Sequence, residues 1–329
     1  MSHELTMIGE RADMAYIGET PWHKLGQKVD PTATPEEWAV ASGLNFKIER
    51  AVVQYAVEVV NPLSGKPMVE TKVVPGRVVL HRSDTKAALS VMSRGYKEVQ
   101  PAQALSLFKR LIDTGGYQME TAGSLRGGAK VWAMVRTGQG FSLPGGDDVE
   151  GRLLFATACD GSMATTVCET TICVVCANTL AAAIEDQGKR VARVSHSTRF
   201  DPEAVLAKLR KVSESFDAFE SAAEALAKTR LDSANAAAML ELILPKTDSI
   251  IPVAESRSYK AIMALFEDAG IGSNLPSRAG TAWGLVNAVT EYVDHAAPSR
   301  SSDNRLSSAW FGNGDKLKSR ALAVAVSAL

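Results

Sequence analysis

The order of apolar and polar positions along the 329-residue chain predicts strands in its first part and helices in its last. Thr34, Pro35 and Glu37 open a short helix, because Pro35 suits a first turn and Glu37 completes a capping box with Thr34. Phe46 to Val60 is rich in Val, Tyr and Ile, Asn61 to Pro67 is a turn, and Met68 to Val74 runs back. Gly76 breaks the chain before a further strand, Arg77 to Arg82. Helical spacing of Ala104, Leu105, Phe108 and Leu111 predicts a helix from Pro101 to Thr114, stopped by Gly115-Gly116. Tyr117 to Ala122 and Ala129 to Arg136 flank the turn Gly123 to Gly128 and predict a hairpin. Gly140 to Gly151 reads as a loop, and Leu153 to Ala158 as a strand.

The apolar run Val174 to Asp186 predicts a buried helix, and Arg190 to Ser195 a last strand. Asp201-Pro202-Glu203 opens a helix of about thirty residues reaching Thr229. Further helices are expected near 233–244, 254–269, 280–296 and 316–327. The fold class expected is α+β: a β-rich N-terminal half with antiparallel hairpins packed on helices, then an all-helical C-terminal half. The expected division is 1–196 and 197–329, with room for a shared core because no Pro/Ser linker separates the two.

Composition narrows the class without identifying a function. Apolar residues at 46% and charged residues at 22% exclude a disordered chain, a collagen-like repeat and a small disulfide scaffold. No secretory leader and no apolar run of membrane-spanning length is seen, so a soluble cytoplasmic protein is expected. The four cysteines lie between Cys159 and Cys176. Cys159, Cys168, Cys173 and Cys176 lack a second close pair or a nearby His, so core packing is favoured over a zinc site. No phosphate loop, H-E-x-x-H or G-x-S-x-G motif occurs. Gly312 to Lys316 reads as a helix entry, Asp147-Asp148 as solvated loop acids, and Asp84 as the cap of the next element rather than the partner of His81. Neither catalysis nor a cofactor is expected on these grounds.

Charge distribution changes the picture. The formal net charge is -1, yet eleven bases and four acids fall between Thr71 and Arg136, a local excess of +7. A strand after the glycine-rich turn would place Ala129, Val131, Ala133 and Val135 on the core face. Lys130, Trp132, Met134 and Arg136 would then form a basic strip with an aromatic in it, a pattern suited to phosphates and a stacked base. The candidate nucleic-acid-binding residues are Arg77, Arg82, Lys97, Arg110, Arg126, Lys130, Trp132 and Arg136, with Tyr96 as a second stacking candidate. The competing explanation pairs these bases with acids of the helical half, such as Glu214, Asp217, Glu220 and Glu224.

Four segments carry a resemblance: Trp22 to Gly26; Thr121 to Leu125 with Gly128 to Trp132; Val174 to Leu180; and Thr281 to Gly284 with Asn287 to His295. In this order they resemble the phage- and plasmid-encoded proteins of the domain-of-unknown-function group 932. Cys173 departs from the pattern, which has an Arg before Val-Val-Cys. The resemblance implies a mobile-element setting, and the architecture is similar to that of phage single-strand annealing proteins. A single-stranded DNA-binding protein, acting as a homo-oligomer and in its fullest form annealing strands, is the expected function. The alternative is a non-catalytic phage protein that binds a host or phage replication or recombination protein. It would use the long helix from Asp201, with Leu206, Leu209, Val212 and Phe216 exposed. A metal enzyme built on the cysteine segment is the third reading.

Overall fold

The computed structural model describes residues 5–18, 25–113, 116–173, 179–180, 191–209, 213–245, 252–299, 308–310 and 312–329. Short strands β1 (Met7–Ile8), β2 (Arg11–Ala12), β3 (Met14–Tyr16) and β4 (Gln27–Lys28) precede helix α1 (Pro35–Ala41). The Thr34 hydroxyl accepts from the Glu37 amide at 3.2 Å and the Glu37 carboxylate from the Thr34 amide at 2.7 Å, the capping box that the sequence predicts. Strands β5 (Ile48–Val60), β6 (Pro67–Arg82) and β7 (Ala88–Ser93) form a separate three-stranded sheet in that order. Helix α2 (Pro101–Asp113) follows, with Ala104, Leu105, Phe108 and Leu111 buried as its spacing requires.

The larger sheet takes β8 (Gln118–Leu125), β9 (Lys130–Leu143), β10 (Asp147–Ala158) and β11 (Thr165–Cys173) in antiparallel succession. Its order is β12-β11-β10-β9-β8-β3-β4, where β12 is Thr179–Leu180, and β13 (Val191–Val194) also pairs with β11. The helices α3 (Pro202–Leu209), α4 (Ser213–Lys228), α5 (Ser233–Ile243), α6 (Arg257–Ala264), α7 (Ala282–Glu291) and α8 (Asn313–Ser327) complete the chain.

The α+β class holds, but the expected β-rich half followed by a helical half does not. Helices α1 and α2 lie between strands, and one core joins them to both sheets: Trp38, Leu80, Phe108, Val131 and Phe155 share it. Helix α1 packs on β3 and helix α2 on β8 and β9, so these inserted helices cover a face that the larger sheet would otherwise leave open. Segment-level expectations change as well. The stretch from Gly140 to Gly151 is no loop: β9 and β10 run through it around a turn at 144–146. Phe141, Leu143 and Val149 thereby enter a second core with Phe216, Phe219, Leu240 and Trp283 of the helices. Thr179–Leu180 is a strand on β11, so the helix expected over 174–186 does not run through it; Cys176 and most of that segment lie outside the described residues. Strand β6 continues through Gly76, whose φ of 72° marks an irregularity rather than a break. The thirty-residue helix is present as α3 and α4, with 210–212 between them outside the described residues.

Candidate nucleic-acid interface

Strand β9 obeys its period of two, but both faces are covered. Ala129, Val131, Ala133 and Val135 point into the first core, as expected. The opposite face is not a basic strip. Lys130 is 7% exposed, Trp132 2% and Met134 3%. Leu5, Met14, Leu125 and Ala156 pack on Trp132, and Trp310 meets it edge-on at 5.3 Å between ring centroids. Trp132 is therefore part of a third small core and has no face for a base. Tyr96 is equally committed: its ring stacks on His196 at 4.6 Å and its hydroxyl donates to the Ala158 carbonyl at 2.7 Å.

Arg82 is a structural hub, 1% exposed. Its guanidinium donates to both oxygens of Asp84 at 2.8 and 2.9 Å, to Asp13 at 3.0 Å and to the Gly127 carbonyl at 3.3 Å. It lies 3.9 Å from the Phe46 ring centroid. A Cβ at Gly128 would meet Arg82 Nη1 at 2.9 Å and Phe46 at 3.0 Å, so only glycine fits beneath the hairpin turn. Burial raises the Asp13 pKa and outweighs the lowering by Arg82 and Ser124. By linking the N-terminal strands, β6 and the β8–β9 turn, Arg82 serves packing rather than phosphate contact.

Most other bases of the +7 segment have close carboxylates. Lys72 pairs with Glu70, Lys86 with Glu49, Lys109 with Asp113, and Arg126 with Asp160 at 3.7 Å. Arg136 donates to Glu120 at 3.0 Å, and Glu120 also binds the buried Arg152. Arg110 reaches into the C-terminal helices, to Glu203. Among the described residues the partners are thus mainly neighbouring acids rather than Asp217, Glu220 or Glu224, the last of which pairs with Lys228 on its own helix; the side chain of Glu214 lies outside the described residues.

Three bases differ. Arg77, Arg94 and Lys97 are exposed, and among the described residues none has a carboxylate within ion-pair distance. Arg77 lies directly opposite Ser93 in the β6–β7 ladder, and the Arg94 amide donates to the Gly76 carbonyl at 2.9 Å. The segment that carries Arg94 and Lys97 is held from both sides. Arg50 donates to the Arg94 carbonyl at 3.1 Å, to the Tyr96 carbonyl, and to Glu98 Oε1 at 3.1 Å. The Lys97 amide donates to the His196 carbonyl at 2.7 Å, while the Lys97 carbonyl lies 2.8 Å from His196 Nδ1. On the same sheet Tyr55 is 49% exposed and directly opposite Lys72. Arg50, Arg94 and Tyr55 are the site residues that sequence reasoning did not select; the Val-rich alternation around Tyr55 was the available signal.

The remaining candidates also resolve. Cys159 is buried, and desolvation pushes its thiol up to about 12. Among the described residues, no three His, Cys, Asp or Glu side chains converge as a metal site. Asp147 is not a solvated loop acid: it is fully buried against Arg278, Ser277 and Trp283. Leu206 packs against the first core and Phe216 is buried in the second, so neither is exposed; Val212 and the side chain of Leu209 lie outside the described residues. No described helix is long and apolar enough to cross a membrane.

The family model described as Domain of unknown function (DUF932) matches residues 88–310, more than half of the chain. The match begins at β7, includes Arg94 and Lys97, and leaves the β5–β6 ribbon outside it. No curated protein and no solved structure matches the chain.

Proposed function

The chain belongs to the DUF932 family, and on that premise we propose that it binds single-stranded DNA through the three-stranded sheet β5–β7. The observation that carries this reading is the group Arg77, Arg94 and Lys97. These are exposed cations on neighbouring, rigidly held backbone that no described carboxylate neutralises. Residues 48–97 contain eight bases and four acids, an excess of +4 in a chain of -1. Phosphates are held by such charges without base recognition. Tyr55 adds an exposed ring next to Lys72, and a base exposes a free face for stacking only where it is unpaired. This favours single strands over duplex.

The proposed setting is the DNA metabolism of a phage or plasmid in the cytoplasm, with annealing of complementary strands by an oligomer as its fullest form. Fluorescence anisotropy with a labelled single-stranded oligonucleotide, and with a duplex of equal length, tests the reading. The single strand is expected to bind more tightly at low salt, and the triple variant Arg77→Ala/Arg94→Ala/Lys97→Ala to lose that binding. No binding at low salt, or an unaffected triple variant, overturns it.

A further inference from the structure

Beyond β7 the second sheet has only two strands. Strand β7 pairs with Arg77 to His81 of β6, whereas Gln54 to Val60 pairs with Pro67 to Val73 and with nothing else among the described residues. A two-stranded ribbon of this kind is marginal in water without a further strand or a covering element. This ribbon is also strongly apolar on its outside. Val52, Tyr55, Val60, Leu63, Met68, Val69 and Val73 are seven of the fifteen exposed large apolar side chains of the described residues, and they fall within 22 positions. Glu58 and Glu70 balance Lys66 and Lys72 on the ribbon, so the cations proposed to hold phosphate, Arg77, Arg94 and Lys97, lie outside it. Its free edge, flanked by apolar side chains, suits a contact with another strand of protein and leaves the face that carries Tyr55 and Lys72 open.

The sequence of β5 indicates which protein. From Val52 to Val60 it reads Val-Val-Gln-Tyr-Ala-Val-Glu-Val-Val, symmetric in side-chain class about Ala56. Two copies of this strand, laid antiparallel about a two-fold axis through Ala56, match throughout. Val52 would face Val60, Val53 would face Val59, Gln54 would face Glu58, Tyr55 would face Val57, and Ala56 would face Ala56. No like charges meet, and the Gln54 amide can donate to the Glu58 carboxylate. Strand β5 is an edge of its sheet, and Val52 to Val60 contains neither the lysine nor the proline that usually guards such an edge.

We infer that the protein forms a two-fold dimer by antiparallel pairing of β5 with β5 of a second copy, centred on Ala56. The pairing joins two three-stranded sheets into one of six, supplies backbone partners to a free edge about 30 Å long, and makes the marginal ribbon four strands wide. A contact that a patch makes with itself closes as a dimer. This inference stands independently of the proposed DNA binding.

The test exploits the axis, where residue 56 meets its own copy. Ala56 is exposed within its own chain, so charge there does not disturb the fold. The full-length protein is expected to sediment as a dimer. Ala56→Glu and Ala56→Lys are each expected to dissociate at concentrations roughly tenfold or more above wild type, because like charges face each other. Their circular dichroism should be unchanged. An equimolar mixture of the two should recover the dimer, since Glu then faces Lys. A wild type that is monomeric at every concentration, a variant that dimerises like wild type, or a mixture that stays monomeric overturns the inference.

Discussion

Asp147 and Arg278, 131 positions apart in sequence, close a buried ion pair that seats the tip of the β9–β10 hairpin among the helices. Ser277 at 2.8 Å and the Trp283 indole at 3.0 Å complete the shell around Asp147 Oδ2. Removing one partner leaves the other charged and buried. Asp147→Asn or Arg278→Met is therefore expected to lose about 3–5 kcal/mol of stability, whereas replacing both with apolar residues costs much less. Urea unfolding of the three variants checks this.

The same pair sets an acid response. Burial alone would raise the Asp147 pKa, but Arg278, Ser277 and Trp283 outweigh it and hold the carboxyl below its ordinary value. A lowered folded-state pKa contributes stability above the unfolded value near 3.9, and that contribution disappears as pH falls through the folded value. The urea midpoint of wild type is expected to drop below about pH 4, with a shallower drop in Asp147→Asn. Equal pH dependence in both would remove Asp147 as the cause.

Trp132 distinguishes packing from recognition. Its burial against Met14, Leu125 and Trp310 predicts that Trp132→Ala loses about 3–5 kcal/mol of stability. At temperatures where the variant stays folded, its affinity for a single-stranded oligonucleotide should equal that of wild type. An affinity loss in the folded variant would return the site to β9.

The positions that sequence revealed and concealed follow from where their partners lie. Helix α2 and the Thr34 capping box were legible because their signals lie within one or two turns of chain. The inner face of β9 was legible from alternation. Its outer face was not, because Trp132 looks solvent-bound until Leu5, Met14 and Trp310, more than a hundred residues away, are placed on it, and Lys130 and Met134 are buried beside it. Glycine density concealed the strands around Gly140, although Phe141, Leu143 and Val149 carried a two-residue period. Arg77 and Lys97 were visible as bases; that Arg82 and Lys130 are buried was not. The Arg50 clasp joins three carbonyl and carboxylate partners across 44 to 48 positions and has no local signature.

Arg50 is a positioning residue in this account, since it holds the Arg94–Lys97 segment and its own charge is engaged by Glu98. Arg50→Ala is expected to weaken oligonucleotide binding several-fold while leaving its salt dependence unchanged, because no phosphate contact is removed. A reduced salt slope in this variant would instead make Arg50 a direct contact.

The most direct measurement of the central claim is the slope of log affinity against log salt for a single-stranded oligonucleotide. It compares wild type with Arg77→Ala, Arg94→Ala and Lys97→Ala taken singly. Each exposed cation that meets a phosphate contributes about 0.7 to that slope on single strands. The account predicts a negative slope in wild type that becomes shallower by about that amount in each variant. A wild type whose binding is absent or insensitive to salt, or three variants with the wild-type slope, would contradict it.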